Sequence, residues 1–146
     1  MCYSVYLSTS SSKNLNKNNT ELVKFTKINK DENEPVAKIL NHSYMWYVGS
    51  KSDCSCTFRH LSSIELGFGE PVDWCEEGDD EINATISLYE VISSLVKSGH
   101  QVDCIDIWHE ENPESLKNIE TIEVSLRKIP SHSFRLFENH KFIINK

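Results

Sequence analysis

The chain has 146 residues, of which 38% are apolar and 25% are charged, and its formal net charge is -7. Since no apolar run approaches the roughly 18 residues of a membrane-spanning helix, the sequence argues against an integral membrane protein. The apolar content is also too high for a chain that is disordered throughout. We expect a single domain, residues 1–146, that folds without needing disulfides or a metal.

The charge is distributed unevenly along the chain. Residues 61–120 hold 15 acidic residues and two Lys, a net charge of -13, whereas residues 1–30 and 121–146 are net basic. This segment repels phosphate backbones, which argues against a nucleic-acid partner and favours basic partners, metal ions or cationic ligands. The alternative is that the surplus acid only keeps a small domain soluble.

The N-terminus and the cysteines indicate a cytoplasmic location. Met1–Leu7 lacks the basic and apolar segments of a secretory signal, and five Cys is an odd count for a disulfide framework. If Met1 were removed, the free amine of Cys2 would act as the base for its own thiol. This Met-Cys start resembles that of glutamine-dependent amidotransferases, which implies a nucleophilic Cys2. The alternative, which we favour, is a cysteine at the beginning of a strand.

The first half of the chain predicts mostly strands and loops. Residues 2–8 are β-branched and aromatic and predict a strand, and residues 9–20 predict a polar loop. Residues 21–28 fit either a helix or a strand. Further along, we expect a short helical turn at 35–40, strands at 44–48 and 56–61, and a turn-rich break at 67–71.

The strongest element is a helix over about residues 80–98. Its apolar residues recur at steps of three and four, with Leu88 and Leu95 widening the stripe formed by Ile82, Ile86, Tyr89, Ile92 and Val96. Asp79 or Asp80 is the predicted cap, and Gly99 suits the left-handed stop. The following strand, 102–108, is apolar on both faces. Helix and strand together predict the second half of a β-α-β crossover whose first strand lies within 44–61.

The C-terminal third predicts a short helix to about residue 119, a half-exposed strand from Ile122 to Leu126, and a hairpin formed by 134–137 and 141–144. The predicted fold class is therefore α+β. It is one domain with a mixed sheet of five or six strands, one long helix (about 80–98) packed on one face, and a C-terminal hairpin.

Cys54 and Cys56, followed by Arg59 and His60, form the sharpest local motif. In extended chain the two thiols leave on one face, and zinc prefers thiolate and imidazole ligands. Cys54, Cys56 and His60 are therefore candidate metal ligands, with Cys75, Cys104 or His109 as a fourth. Alternatively, the thiols are redox-active or nucleophilic, with Arg59 lowering a thiol pKa. The third interpretation is that small side chains fill a tight loop and that no cofactor is bound.

Asp106 and His109 mark the end of the buried strand, where α/β sheets often bind ligands. A buried carboxylate needs a partner or a raised pKa, so Asp106 is a candidate acid, base or ligand. His109 is a candidate proton shuttle or metal ligand. The alternative is that Asp106 accepts hydrogen bonds within the fold and that His109 lies in a solvated loop.

Glu76, Glu77, Asp79 and Asp80 form an acidic cluster before the long helix. We take it as a candidate binding surface for a basic protein, the alternative being acid that favours a helix N-terminus. Our first functional hypothesis is accordingly a cytoplasmic binding domain without enzymatic activity. The rival is a metal- or thiol-dependent site, enzymatic or not, built on Cys54, Cys56 and His60.

Overall fold

The computed structural model describes residues 2–29, 31, 34–51, 54–61, 64–72, 77–108 and 119–146. The predicted helix before residue 119 falls almost wholly outside these ranges. So do three candidate residues, Cys75, Glu76 and His109.

The described chain forms a six-stranded mixed sheet, a separate two-stranded sheet and one long helix, which confirms the predicted α+β class. The elements are β1 (Tyr3–Thr9), β2 (Lys24–Lys27), α1 (Glu34–Ala37), β3 (Tyr44–Gly49), β4 (His60–Leu61), α2 (Asp79–Lys97), β5 (Val102–Trp108), β6 (Glu120–Ser125), β7 (Leu136–Phe137) and β8 (His140–Asn145). Short 3-10 turns, including Ser55–Thr57, connect several of them.

The large sheet has the strand order β2-β3-β1-β5-β8-β6. All neighbours are antiparallel except β6 and β8. Since β3 and β5 both run antiparallel to β1, they are parallel to each other, and α2 lies in the connection between them. The predicted β-α-β crossover is thus present in a split form, with β1 inserted between its two strands.

The alternation of side chains along the strands separates two cores. Val5 and Leu7 of β1 face the side that α2 covers, in the cluster that also contains Leu88 and Ile92 of that helix. The opposite face carries a smaller cluster made of Val36, Leu40, Met45, Ile105 and Ile107. Strand β5 contributes to both clusters, which explains its apolar character on both faces.

The helix α2 ends as predicted but begins and packs slightly differently. Gly99 has a φ of +87°, the left-handed conformation that glycine adopts without strain. The N-cap is Gly78, so Asp79 and Asp80 lie in the first turn and neither is the cap. The predicted stripe is buried at Leu88, Ile92, Leu95 and Val96, whereas Ile82 at its beginning is only half-buried.

Two local predictions are modified by long-range pairing. The predicted strand at 56–61 is a 3-10 turn followed by the two-residue strand β4. The strands of the C-terminal hairpin, β7 and β8, are both present on either side of a turn with Asn139 at φ 59°. They pair in different sheets, since β7 pairs with β4 and β8 with β5 and β6.

Within the described ranges, no helix combines the length and the apolar character needed to cross a membrane.

Candidate functional site

Three cysteine sulfurs converge at one end of the sheet. The Sγ atoms of Cys2, Cys54 and Cys56 all lie within 4.8 Å of one another. Cys2 directly precedes β1, and the other two flank Ser55 after β3. Because β1 pairs with β3 in the register Val5–Val48, the beginning of β1 lies beside the end of β3. Strand pairing therefore brings together thiols that are more than 50 residues apart in the chain.

Ser55 anchors the turn that carries two of these thiols. Its hydroxyl accepts a hydrogen bond from the backbone N–H of Val5 at 2.9 Å and donates to the carbonyl of Val48 at 2.6 Å. Ser50 N–H donates to the carbonyl of Cys54 at 2.7 Å. Ser55 is fully buried. These contacts tie the turn to both strands, so the sulfur atoms are held on a rigid support.

The thiol of Cys56 is unfavourable to ionise. Burial raises its pKa to about 12, and the neighbouring Cys54 thiol contributes to the increase. The backbone N–H of Tyr3, 3.4 Å from the sulfur, acts in the opposite direction. Burial also raises the pKa of the nearby Tyr47 phenol, and the sulfurs add to that effect. Cys56 is thus a neutral thiol near pH 7, which does not suit an unassisted nucleophile.

Arg59 does not act on these sulfurs. Its guanidinium donates to Glu77, 3.2 Å away, and to the carbonyl of Gly69 at 3.0 Å. The side chain is 1% exposed. The expectation that Arg59 lowers a thiol pKa is not met at Cys56, whose pKa is raised by burial while Arg59 is bonded within the core.

His60 contacts the turn that carries Cys54 and Cys56 through the backbone of Ser55. Its Nε2 atom lies 2.6 Å from the carbonyl oxygen of Ser55, and its Nδ1 atom lies 2.6 Å from Asp106 Oδ2. Its ring stacks on that of Tyr3, with centroids 3.7 Å apart and an interplanar angle of 4°. Both ring nitrogens lie against oxygen atoms of the protein, and His60 does not belong to the sulfur cluster. The third sulfur, that of Cys2, takes the place that the sequence suggested for His60.

Asp106 is buried in β5, near the end of the strand, and its carboxylate contacts the His60 ring. Its side chain is fully buried, and its Oδ1 atom has no hydrogen-bond partner among the described residues. Tyr3 lies close by, and its hydroxyl donates to Glu138 Oε2 at 3.3 Å. Burial raises the pKa of the Tyr3 phenol, and the charges of Glu138 and Asp106 raise it further. Asp106 therefore belongs to a group of polar side chains with His60, Tyr3 and Glu138, next to the sulfur cluster.

The acidic cluster before α2 is divided by the fold. Glu77 has a side chain only 2% exposed and lies 3.2 Å from both Arg59 and Arg135. Asp79 and Asp80 are exposed in the first turn of α2, and Asp80 pairs with Lys51 at 3.1 Å. Two of the four predicted surface acids are thus exposed, one is internal, and Glu76 lies outside the described ranges.

Burial also reduces the acidic surface elsewhere in the -13 segment. Asp103 and Asp106 are at most 1% exposed. Asp103 lies 3.6 Å from the Lys141 ammonium on the sheet face opposite α2. Net charge read from the sequence therefore overestimates the negative charge that a partner would meet.

The sequence missed Cys2 as a member of the site. The usable signal was a cysteine at the beginning of the first strand together with a cysteine pair at the end of another. Cys104, a suggested fourth ligand, is fully buried in β5, and burial raises its pKa. It does not belong to the sulfur cluster.

Comparisons with models of protein families, with curated proteins and with solved structures find no match for this chain.

Proposed function

We propose that this chain binds a thiophilic metal ion, with zinc as the first choice, through the thiolates of Cys2, Cys54 and Cys56. The observation that carries the proposal is the convergence of their sulfurs within 4.8 Å. Soft thiolate ligands select zinc and similar ions over magnesium or calcium. Reduced cysteines of this kind accord with a cytoplasmic location, which we also propose.

The spacing of the sulfurs is close to that of a zinc site. An ion at the centre of three atoms no more than 4.8 Å apart lies at most about 2.8 Å from each. A zinc–sulfur bond is about 2.3 Å, so inward movements of about half an ångström complete the coordination. Rotation of the cysteine side chains supplies movements of this size without displacing the strands.

A bound dication would offset the cost of ionising the buried thiol of Cys56. Burial and the neighbouring cysteines raise the pKa of Cys56, so this thiol remains protonated near neutral pH when no metal is bound. A dication supplies the positive charge that the thiolates lack, and binding displaces their protons into solvent. The Tyr3 N–H directed at Cys56 would then stabilise a metal-bound thiolate.

Three sulfurs leave one position of a tetrahedron for a fourth ligand. Among the described residues, no histidine, carboxylate or further cysteine joins the cluster. Cys2 is exposed, so at least one of the three sulfur ligands borders solvent. A zinc ion with an exchangeable fourth position is the arrangement of catalytic sites, whereas a fourth protein ligand closes structural sites. The proposal assigns no reaction.

His60 and Asp106 are positioning residues in this proposal and not ligands. The chain of contacts runs from Asp106 to the His60 ring and then to the carbonyl of Ser55, the residue between the two cysteines. Such contacts fix the orientation of metal ligands, and their loss weakens metal binding without removing a ligand.

The rival hypothesis of an acidic surface for a basic protein has less support. Glu77 is used internally, and the exposed acids in the first turn of α2 include Asp80, which is paired with Lys51. An acidic first turn is also favourable for a helix without any partner.

The proposal is tested by competing reduced, metal-free protein against a chromophoric zinc chelator. We expect one zinc ion per chain, and we expect Cys2→Ser, Cys54→Ser and Cys56→Ser each to weaken binding by more than about 100-fold. Cys104→Ala is the matched control, since it removes a cysteine outside the cluster and should leave zinc affinity unchanged. The proposal is wrong if the wild-type protein binds no zinc, or if the three cluster variants bind it as tightly as Cys104→Ala.

A further inference from the structure

A groove with a volume of about 560 Å³ lies between the second half of α2 and residues 126–130, remote in sequence from the cysteine motif. Its size falls within the roughly 300–1,000 Å³ of pockets that hold small organic ligands. Val96, Leu126 and Ile129 form an apolar lining, each at most 9% exposed. We name this feature the α2 groove.

The walls of the α2 groove are joined by hydrogen bonds. The Tyr89 hydroxyl, on the helix, lies 2.8 Å from the carbonyl oxygen of Ile129 and 3.1 Å from that of Leu126. Ile129 N–H also donates to the Leu126 carbonyl at 3.1 Å. Because these contacts fix both walls, the α2 groove is formed before any ligand enters, which reduces the entropy lost on binding.

Cations surround the apolar lining. Lys97, Arg127 and Lys128 all line the α2 groove and all three residues are exposed. In the part of the chain that the structure describes, no acidic side chain forms an ion pair with any of them. Glu90 lines an adjoining recess and not the α2 groove. An unpaired basic rim in a chain of net charge -7 is a local reversal of sign.

We propose that the α2 groove binds an organic anion with an apolar body, of the class of medium-chain carboxylates. The apolar part would lie against Val96, Leu126 and Ile129, and the carboxylate would meet Arg127 and Lys128. Arg can donate a fork of two hydrogen bonds to the two carboxylate oxygens, while Lys offers a compact charge. This inference is independent of the metal site.

The probe is decanoate, titrated into the wild-type chain by calorimetry or by NMR shift mapping. Removing the two cations proposed to meet the carboxylate, with the double change Arg127→Gln and Lys128→Gln, should weaken binding at least tenfold. The matched control is Lys13→Gln with Lys17→Gln, which removes the same charge from a different recess against α2 and should change affinity less than twofold. Ser93→Trp keeps the cations but fills the α2 groove, and it should abolish binding.

A second probe separates the contribution of the ligand's charge from that of its apolar chain. Decyltrimethylammonium has a similar chain and the opposite charge, and it should bind at least tenfold more weakly than decanoate. The proposal is overturned if decanoate does not bind saturably, if both double variants lose affinity equally, or if the cationic probe binds as tightly. Binding of an acidic peptide such as oligoglutamate without binding of decanoate also overturns it, in favour of a protein partner.

Discussion

Replacing Glu77 by Gln should destabilise the fold severely, although the sequence places Glu77 in an apparent surface cluster. One carboxylate lies 3.2 Å from two guanidiniums, those of Arg59 and Arg135, and all three side chains are at most 3% exposed. Glu77 also accepts the backbone N–H of Val72 at 2.7 Å. The substitution preserves size and removes only the charge, so the two buried cations lose their shared counter-charge.

The magnitude follows from the burial of the group. Breaking a buried ion pair by neutralising one partner costs about 3–5 kcal/mol, because the remaining charge stays desolvated. Arg59 and Arg135 keep carbonyl acceptors, including those of Gly69 and Glu70, which places the expected loss near the lower limit. A loss of about 3 kcal/mol lowers the melting temperature of a domain of this size by roughly 10 °C.

Urea denaturation followed by tryptophan fluorescence measures this loss directly. The matched control is Asp80→Asn, which neutralises an exposed acid whose ion pair with Lys51 has side chains 57% and 54% exposed. That pair should contribute about 0–1 kcal/mol, because solvent screens it. If the urea midpoints of Glu77→Gln and Asp80→Asn coincide, Glu77 does not act as an internal counter-ion and the reasoning fails.

Two further predictions concern the sulfur cluster. His60→Gln and Asp106→Asn should each lower zinc affinity about 10- to 100-fold while all three sulfurs remain, measured by chelator competition, and wild-type affinity in both variants would exclude a positioning role. Because the folded-state pKa of Cys56 is raised from 9.0 to about 12, the unfolded thiol ionises first, so the stability that Cys56 contributes is present below pH 9 and lost as pH rises toward 12. The metal-free wild type should therefore lose more stability between pH 8 and pH 10 than Cys56→Ser does, and alkylation of Cys56 at pH 8 as fast as that of free cysteine would contradict the raised pKa.

Local pattern was sufficient for much of the fold. Short stretches of sequence were enough to predict the helix over 80–98, its end at Gly99 and the buried strand that follows. Local pattern was not sufficient to predict which strands pair, because β1, from the beginning of the chain, lies between β3 and β5. The same limit explains β4, whose two residues are a strand only because β7, about 75 residues later, pairs with it.

The site shows the same division between local and long-range information. Cys54 and Cys56 were recognisable from their spacing, but Cys2 joins them only through the register of β1 on β3. The sequence suggested His60 as a ligand, but in the structure its two ring nitrogens contact Ser55 and Asp106. Adjacent sequence suggested electrostatic control by Arg59, whereas packing directs its side chain away to a carboxylate 18 residues later.

Zinc K-edge X-ray absorption on the zinc-loaded chain tests the central claim most directly, because it counts the sulfur atoms around the ion. We expect three sulfur neighbours at about 2.3 Å and one nitrogen or oxygen neighbour. A first shell made only of nitrogen and oxygen, or one with fewer than three sulfurs, would show that Cys2, Cys54 and Cys56 do not hold the metal together.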